Sequence, residues 1–305
     1  MPGKNMVKQQ KVFLSILERR ILRGLKLWMV ILTLFTLLFL LVAVYFEIPI
    51  NKSEFLANFL VIVTFIFGIF LGVFITDRFK RIDDIRLNDS KERADLVNLA
   101  NLSLQFGKKN YNNIKKLICK YLESTLDYSI WDYSLTEKDF ENIKKSVEKI
   151  KTKKEEFQSL AFQLLNDIEN SRKQTLSLIN ERLTSFEWFI IFCLTILIDL
   201  SLLAINDKSA FSIFLITALS LVVSLLVLLI YHLDDLTWKE NERIFEPYQQ
   251  TFEEMGFLRY YPDGLIELKR AKVPKNKPYR VVTYLDPYPD MKRKKITIIR
   301  PLNKQ

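Results

Sequence analysis

The apolar positions of this chain gather into four blocks arranged as two pairs, Leu27 to Phe46 with Phe59 to Thr76, and Phe186 to Ile205 with Phe211 to Leu233. Each block is close to the roughly 20 residues that a helix needs to cross a bilayer. Inside hydrocarbon every backbone polar group must be satisfied within the segment, which leaves helices as the spanning form for blocks of this length. The pattern therefore predicts four transmembrane helices in two hairpins. Within a pair the connection is short and low in charge (Glu47 to Leu56, Asn206 to Ala210), whereas the flanking segments are long and rich in Lys and Arg. That asymmetry places the N-terminus, the middle region and the C-terminus on the cytoplasmic side.

Between the pairs, Asp77 to Ser185 contains no proline and a single glycine, Gly107, so long helices are its expected state. Arg93 to Phe106 repeats apolar residues at helical spacing, and Gly107 marks the helix end. A second helix is expected from Tyr111 toward Trp131. A third follows Ser134-Leu135-Thr136-Glu137 and carries Phe140, Ile143, Val147 and Ile150, and a fourth, Phe157 to Leu183, leads into the third span. After the fourth span, Asp235 to Met255 stays helical in pattern, with Pro247 breaking or kinking it. Beyond Gly256 the residues favour strands. Phe257 to Tyr261 and Leu265 to Leu268 are expected to pair as a hairpin across Pro262-Asp263-Gly264, with further strands at Tyr279 to Leu285 and Lys295 to Ile299.

The expected fold is thus an all-α membrane protein with a small β-containing tail. Residues 1–26 form a basic amphipathic helix, 27–76 the first transmembrane hairpin and 77–185 a cytoplasmic helical region. Residues 186–233 form the second hairpin, 234–256 a helical extension and 257–305 a basic tail with the β-hairpin. The leader carries Phe13, Leu17, Ile21 and Trp28 on one side and Lys11, Arg19 and Arg23 on the other, which suits the inner headgroup layer. Its apolar block is longer than a signal-peptide core, and a second span follows closely, so it is expected to remain as an anchor.

Charge and composition narrow the function. The net charge is +10 and the isoelectric point near 9.3, but the apolar residues are too blocked for a nucleic-acid binder, and the charge sits where anionic lipid would attract it. The lysines of Lys144 to Lys154 alternate with Glu148, Glu155 and Glu156, the pattern of a solvated helix face. Cys119 and Cys193 are the only cysteines and His232 the only histidine, which removes a disulfide framework, Cys- or His-based metal sites and the common catalytic triads. No metal, cofactor or catalytic role is expected.

Polar and aromatic residues within the spans carry the functional information. In the second span Gly68 and Gly72 form a small-xxx-small pair, and Ile66, Phe70 and Phe74 recur every four residues as an apolar ridge. Copies of this helix around an axis would stack that ridge into apolar rings. Such a constriction gates by dewetting, and aromatic edges offer partial positive charge to an anion. The alternative for these residues is lipid contact or packing. Asp199 lies about two turns inside the third span, a costly place for a carboxylate and so a candidate for a cavity or a polar partner such as Thr195. His232, Asp234 and Asp235 sit where the fourth span ends, as an interfacial site or a boundary marker.

The order of two spans, a helical insert of roughly a hundred residues, two spans and an extension resembles the bestrophins, and more closely the bacterial bestrophin-like membrane proteins. The passages that carry the likeness are Ser90-Lys-Glu-Arg-Ala-Asp-Leu-Val-Asn-Leu99, Asn180-Glu-Arg-Leu-Thr-Ser-Phe-Glu-Trp188 and Ile230-Tyr-His-Leu-Asp-Asp235, within Leu27 to Met255. The resemblance implies a homopentamer in the plasma (inner) membrane whose second span lines an anion-conducting pore, with Ile66, Phe70 and Phe74 at its neck. Where eukaryotic members carry a long acidic calcium-binding run, this chain has only Asp234, Asp235, Glu240 and Glu242, which argues against calcium gating. The partners expected are the lipid bilayer, further copies of the chain and inorganic anions. The competing expectation is a non-conducting scaffold or sensor whose helical region and tail bind a partner.

Overall fold

A computed structural model describes residues 34–45, 54–150, 155–237, 245–267, 271–286, 288–291 and 293–300. The amphipathic leader, the start of the first apolar block, Glu240 and Glu242 lie outside the described residues. Two compact units emerge. One contains the described residues between 34 and 82 and between 181 and 237, the other those between 83 and 180 and between 245 and 300. This division cuts across the expected linear segments, because one helix contributes to both units.

The first unit is apolar. Its helices are α1 (Leu34–Tyr45), the beginning of α2 (Glu54–Leu102), α6 (Ser185–Ile205) and α7 (Ala210–Asp234). Among the described residues three helices are long and apolar enough to cross a membrane, those that contain the second, third and fourth blocks, and the described part of the first block is a shorter apolar helix. With 49 residues, α2 is about 74 Å long at 1.5 Å per residue, more than twice the roughly 30 Å of a hydrocarbon core. Its apolar stretch ends at Thr76, and the charged residues from Asp77 onward fall beyond it. The second span and the helical stretch at Arg93 to Leu102 are one continuous helix, and nothing in Asp77 to Lys91 opposes it.

Phe39, Val63, Phe67, Leu71, Ile198 and Ile230 lie in this unit's buried cluster. The turn between α6 and α7 is held by its polar residues. Asp207 Oδ1 accepts the Ser209 amide at 2.9 Å, and Ser209 caps α7 by accepting the Ser212 amide at 3.1 Å. Asn206 donates to the Ala43 carbonyl at 2.8 Å, tying the end of α6 to α1. At the other end of α6, Thr184 and Glu187 form a capping box, so α6 starts afresh after the preceding helix (Glu155–Asn180) ends.

The second unit holds the rest of α2, then α3 (Lys108–Asp127), α4 (Glu137–Glu148), α5 (Glu155–Asn180), α8 (Glu246–Glu254), β1 (Arg259–Pro262), α9 (Asp263–Glu267), β2 (Tyr279–Tyr284) and β3 (Lys294–Ile299). Gly107 ends the α2 region at φ 94°, a left-handed conformation that disfavours a side chain, with its amide on the Leu104 carbonyl. Leu99, Ile114, Ile118, Phe140, Ile168 and Phe252 are among the core, at the helical spacing that the sequence shows.

The break expected at Pro247 is a helix start: Pro247 sits in the first turn of α8, where its missing N–H costs nothing. One expectation is corrected here. The hairpin across Pro262-Asp263-Gly264 does not form. Asp263 opens α9, accepting the Gly264 amide at 2.7 Å, and β1 pairs in parallel with β2, Tyr260 opposite Arg280. β2 pairs antiparallel with β3, giving a sheet of order β1-β2-β3.

Candidate functional site

The second span carries two stripes. Val63, Phe67, Leu71 and Phe74 are buried within the unit, while Ile62, Phe65, Ile69 and Val73 stand exposed on the opposite side. Such a two-sided apolar helix leaves one face for lipid or for another chain. Ile66 and Phe70, each 38% exposed, flank the buried stripe, and Phe74 at 8% belongs to it. The structure thus divides the predicted trio. A step of four residues turns the helix by about 40° per repeat, so the third member rotates into the protomer. The Phe74 ring backs Phe70, centroids 6.1 Å apart. A Cβ added at Gly68 or Gly72 would meet nothing within 4 Å, so the close approach these glycines permit is not used within the protomer.

Just past the apolar stretch lies a buried polar cluster that the sequence reading missed. Arg78 and Arg81 are 4% and 3% exposed and share Asp234, itself 6% exposed. Arg78 Nη1 donates to Asp234 Oδ1 at 3.2 Å and to the Glu181 carbonyl at 3.3 Å. Arg81 Nη1 donates to the Asp234 carbonyl at 2.8 Å. The Leu183 amide donates to Asp234 Oδ1 at 2.8 Å. One carboxylate therefore pins the middle of α2, the end of α7 and the segment entering α6 together. The sequence signal was the pair of arginines one turn apart directly after an apolar run, which resembles an ordinary positive-inside flank.

The predicted group His232, Asp234 and Asp235 does not converge. Asp234 is consumed by the arginines, Asp235 pairs with Arg182 at 3.0 Å, and the His232 ring packs edge-on against Tyr231. Both His232 ring nitrogens are buried without a hydrogen-bond partner among the described residues. Asp199 is 9% exposed and lines a cavity with Thr195. Among the described residues no three His, Cys, Asp or Glu side chains come together as a metal would need.

The second unit buries a larger network. Glu92 accepts from the hydroxyls of Tyr121 and Tyr133, and Arg172 donates to the Tyr121 hydroxyl, to Thr136 at 3.2 Å and to Glu137 at 2.7 Å. The Arg172 guanidinium also lies 5.0, 5.1 and 4.8 Å from the ring centroids of Tyr121, Tyr133 and Phe140. Burial pushes the Glu92 carboxyl up to about 7, outweighing the opposing pull of Arg172 and the two phenols. A second network joins the tail to α3. Lys294 bridges Glu123 and Asp127 at 3.1 Å each, Tyr284 donates to Asp127, and Arg280 pairs with Glu123. Burial raises the Asp127 carboxyl against the pull of Lys294, and raises the Cys119 thiol to about 12.

No curated protein and no solved structure matches the chain. A family model does match, that of the Bestrophin-like domain, over residues 30–236. It takes in the four apolar blocks, the helical insert between them and the Arg78, Arg81 and Asp234 cluster, well over half of the chain, and the chain therefore belongs to the Bestrophin-like family.

Proposed function

We propose that the protein is a channel assembled from several copies of this chain, with α2 lining a pore that passes inorganic anions. In this reading the first apolar block completes a fourth span, and both termini and the helical unit face the cytoplasm, as the distribution of Lys and Arg favours. The observation that carries the proposal is the exposed apolar stripe of α2 in a chain of this family. Beside its buried stripe, Ile66 and Phe70 keep a free side that neighbouring copies would turn toward a common axis.

Ile66 and Phe70 then form the neck, and Phe74 holds the Phe70 ring from behind. Stacked rings of this kind exclude water when narrow and conduct when a small rotation widens them. The net charge of +10 raises the local anion concentration and favours anions over cations at the mouth. Bestrophin-family proteins are channel-like more than enzymatic, and no step of this reading needs a catalytic group.

The test is flux in liposomes loaded with chloride or sodium, with oligomeric state measured by native mass spectrometry. Native protein should be a closed oligomer that passes chloride faster than sodium, and Phe70→Ala should raise chloride flux several-fold. Phe74→Ala should change flux less than Phe70→Ala while lowering stability. A monomer without flux would overturn the channel and leave a membrane-anchored scaffold whose helical unit and tail bind a partner.

A further inference from the structure

Within the apolar unit, α6, α7 and Phe35 of α1 border a groove of about 440 Å³. Its polar end is built from Thr195 and Asp199, four residues apart on α6, and Ser224 on the facing α7. Asp199 Oδ1 is buried with no hydrogen-bond partner among the described residues. Thr195 donates its proton to the Ile191 carbonyl at 2.8 Å, which leaves its oxygen as an acceptor. Among the described residues no Lys, Arg or His borders the groove. An acceptor-rich end around an unpaired buried carboxylate is costly unless a proton or a cation neutralises it.

The other end is aromatic. Trp188 stacks on Phe192 with centroids 5.7 Å apart and meets Tyr231 at 6.3 Å. Along α6, Trp188 and Asp199 are eleven residues apart, about 16 Å at 1.5 Å per residue. Between them the wall is apolar, with Ile196, Val227 and Leu228. The volume decides the class of occupant. A bare inorganic ion would leave almost all of the groove empty, whereas pockets of roughly 300 to 1,000 Å³ suit organic molecules.

We propose that this groove binds an amphiphilic organic monocation, a protonated amine whose ammonium group sits on Asp199 and whose apolar body lies along α6 and α7. Three features fit that chemistry and no anion. The carboxylate supplies the opposite charge, the Thr195 and Ser224 oxygens accept the remaining N–H bonds, and the Trp188 and Tyr231 rings take an apolar or aryl end. The site stands apart from the α2 stripe and does not rest on the pore reading.

The test uses the full chain in nanodiscs and two probes that differ only in charge. One is a dansyl group joined through five carbons to a primary amine, the other its N-acetylated form. Native protein should bind the amine saturably and at least about tenfold more tightly than the acetylated probe, the scale of one charge-assisted contact in a low-dielectric site. Asp199→Asn should erase that preference and leave the weaker binding of the acetylated probe unchanged. Equal binding of the two probes by the native chain, absence of saturable binding, or an unchanged preference in Asp199→Asn would each overturn the proposal. The native comparison needs no variant, and Thr195→Val, which should cost the amine about threefold and the acetylated probe nothing, covers the case in which Asp199→Asn does not fold.

Discussion

Both units bury arginine beside carboxylate, and they do so under different rules. In the helical unit Arg172 stands among three aromatic rings and is bonded to phenol, threonine and carboxylate groups, with Glu92 4.0 Å away. Its charge is shared among side chains drawn from α2, α3, α4, α5 and the turn between α3 and α4. In the apolar unit Arg78 and Arg81 rely on Asp234 and on backbone carbonyls, with the more exposed Asp77 carboxylate as a further partner of Arg78. The contrast shows what each cluster can do. A network of side chains fixes the packing of an entire helical layer and fails as a whole, whereas a clamp built partly on carbonyls survives the loss of one charge, because helix ends present carbonyls whatever the sequence.

The largest expected effect tests the first half of that contrast. Arg172→Ala removes the guanidinium and leaves Glu92 buried among phenols, so the helical unit should lose about 3 to 5 kcal/mol, the usual cost of breaking a buried pair. The check is denaturant unfolding followed by near-ultraviolet circular dichroism, which reports the tyrosines of the cage. Arg172→Lys should recover less than half of the loss, since a lysine keeps the charge but neither stacks on three rings nor reaches four acceptors. A full rescue by lysine would mean that charge alone matters and that the cage adds nothing.

Next comes the protonation of Glu92. Its carboxyl titrates near 7 in the folded protein and near 4.5 when unperturbed, so between those values the folded state holds a proton that the unfolded chain has lost. Stability therefore falls as pH rises from about 4.5 to about 7, by at most about 3 kcal/mol, and this site adds no pH dependence on either side of the window. In Glu92→Gln, which imitates the neutral acid, that component should vanish from a pH series of unfolding midpoints. A series that rises across the same window would reverse the assignment and make the ion pair with Arg172 the dominant influence.

How far these clusters could be anticipated depends on the distance along the chain between their members. The spans, the helices of the insert and the end at Gly107 are legible because block length and 3.6-residue spacing are local properties. The depth of Asp199 is legible for the same reason. The cage is not, because Glu92, Tyr121, Tyr133 and Arg172 are spread over eighty positions and each resembles a surface residue taken alone. Phe74 shows a subtler limit. Four-residue spacing puts it in line with Ile66 and Phe70 in the sequence, yet the helix turns it into the protomer's core. At Pro262-Asp263-Gly264 the residues suit either a turn or a helix start, and the outcome is set by β1 finding β2 as a parallel partner instead of the segment next to it.

The clamp in the apolar unit should respond more mildly than the cage. Asp234→Asn keeps an oxygen for the Leu183 amide and for Arg78, and the Arg81 bond to the Asp234 carbonyl is untouched. Only the charge is lost, so the expected cost is about 2 kcal/mol, in the range of a charge-assisted hydrogen bond. Hydrogen exchange should show the loosening at Leu183, at the end of α7 and in α2 around Arg78 and Arg81, with α3 to α5 unchanged. If Asp234→Asn costs as much as Arg172→Ala, the carbonyls contribute little and the two units follow one rule after all.

The smallest effect isolates a bond that owes nothing to either cluster. The Thr184 hydroxyl accepts the Glu187 amide at 3.3 Å, and Glu187 accepts the Thr184 amide at 2.6 Å, both exposed to solvent. Thr184→Ala leaves α6 without its cap and should cost about 1 kcal/mol, read as faster exchange at the first amides of α6. Glu187→Gln should cost less, because an amide oxygen still accepts the Thr184 N–H. Neither change should alter the pH series of Glu92, whose partners come from other elements. The cap also sets the start of α6 directly after Leu183, whose amide is bonded to Asp234. If Thr184→Ala loosens Leu183 as far as Asp234→Asn does, the clamp depends on where α6 begins as well as on its own charges.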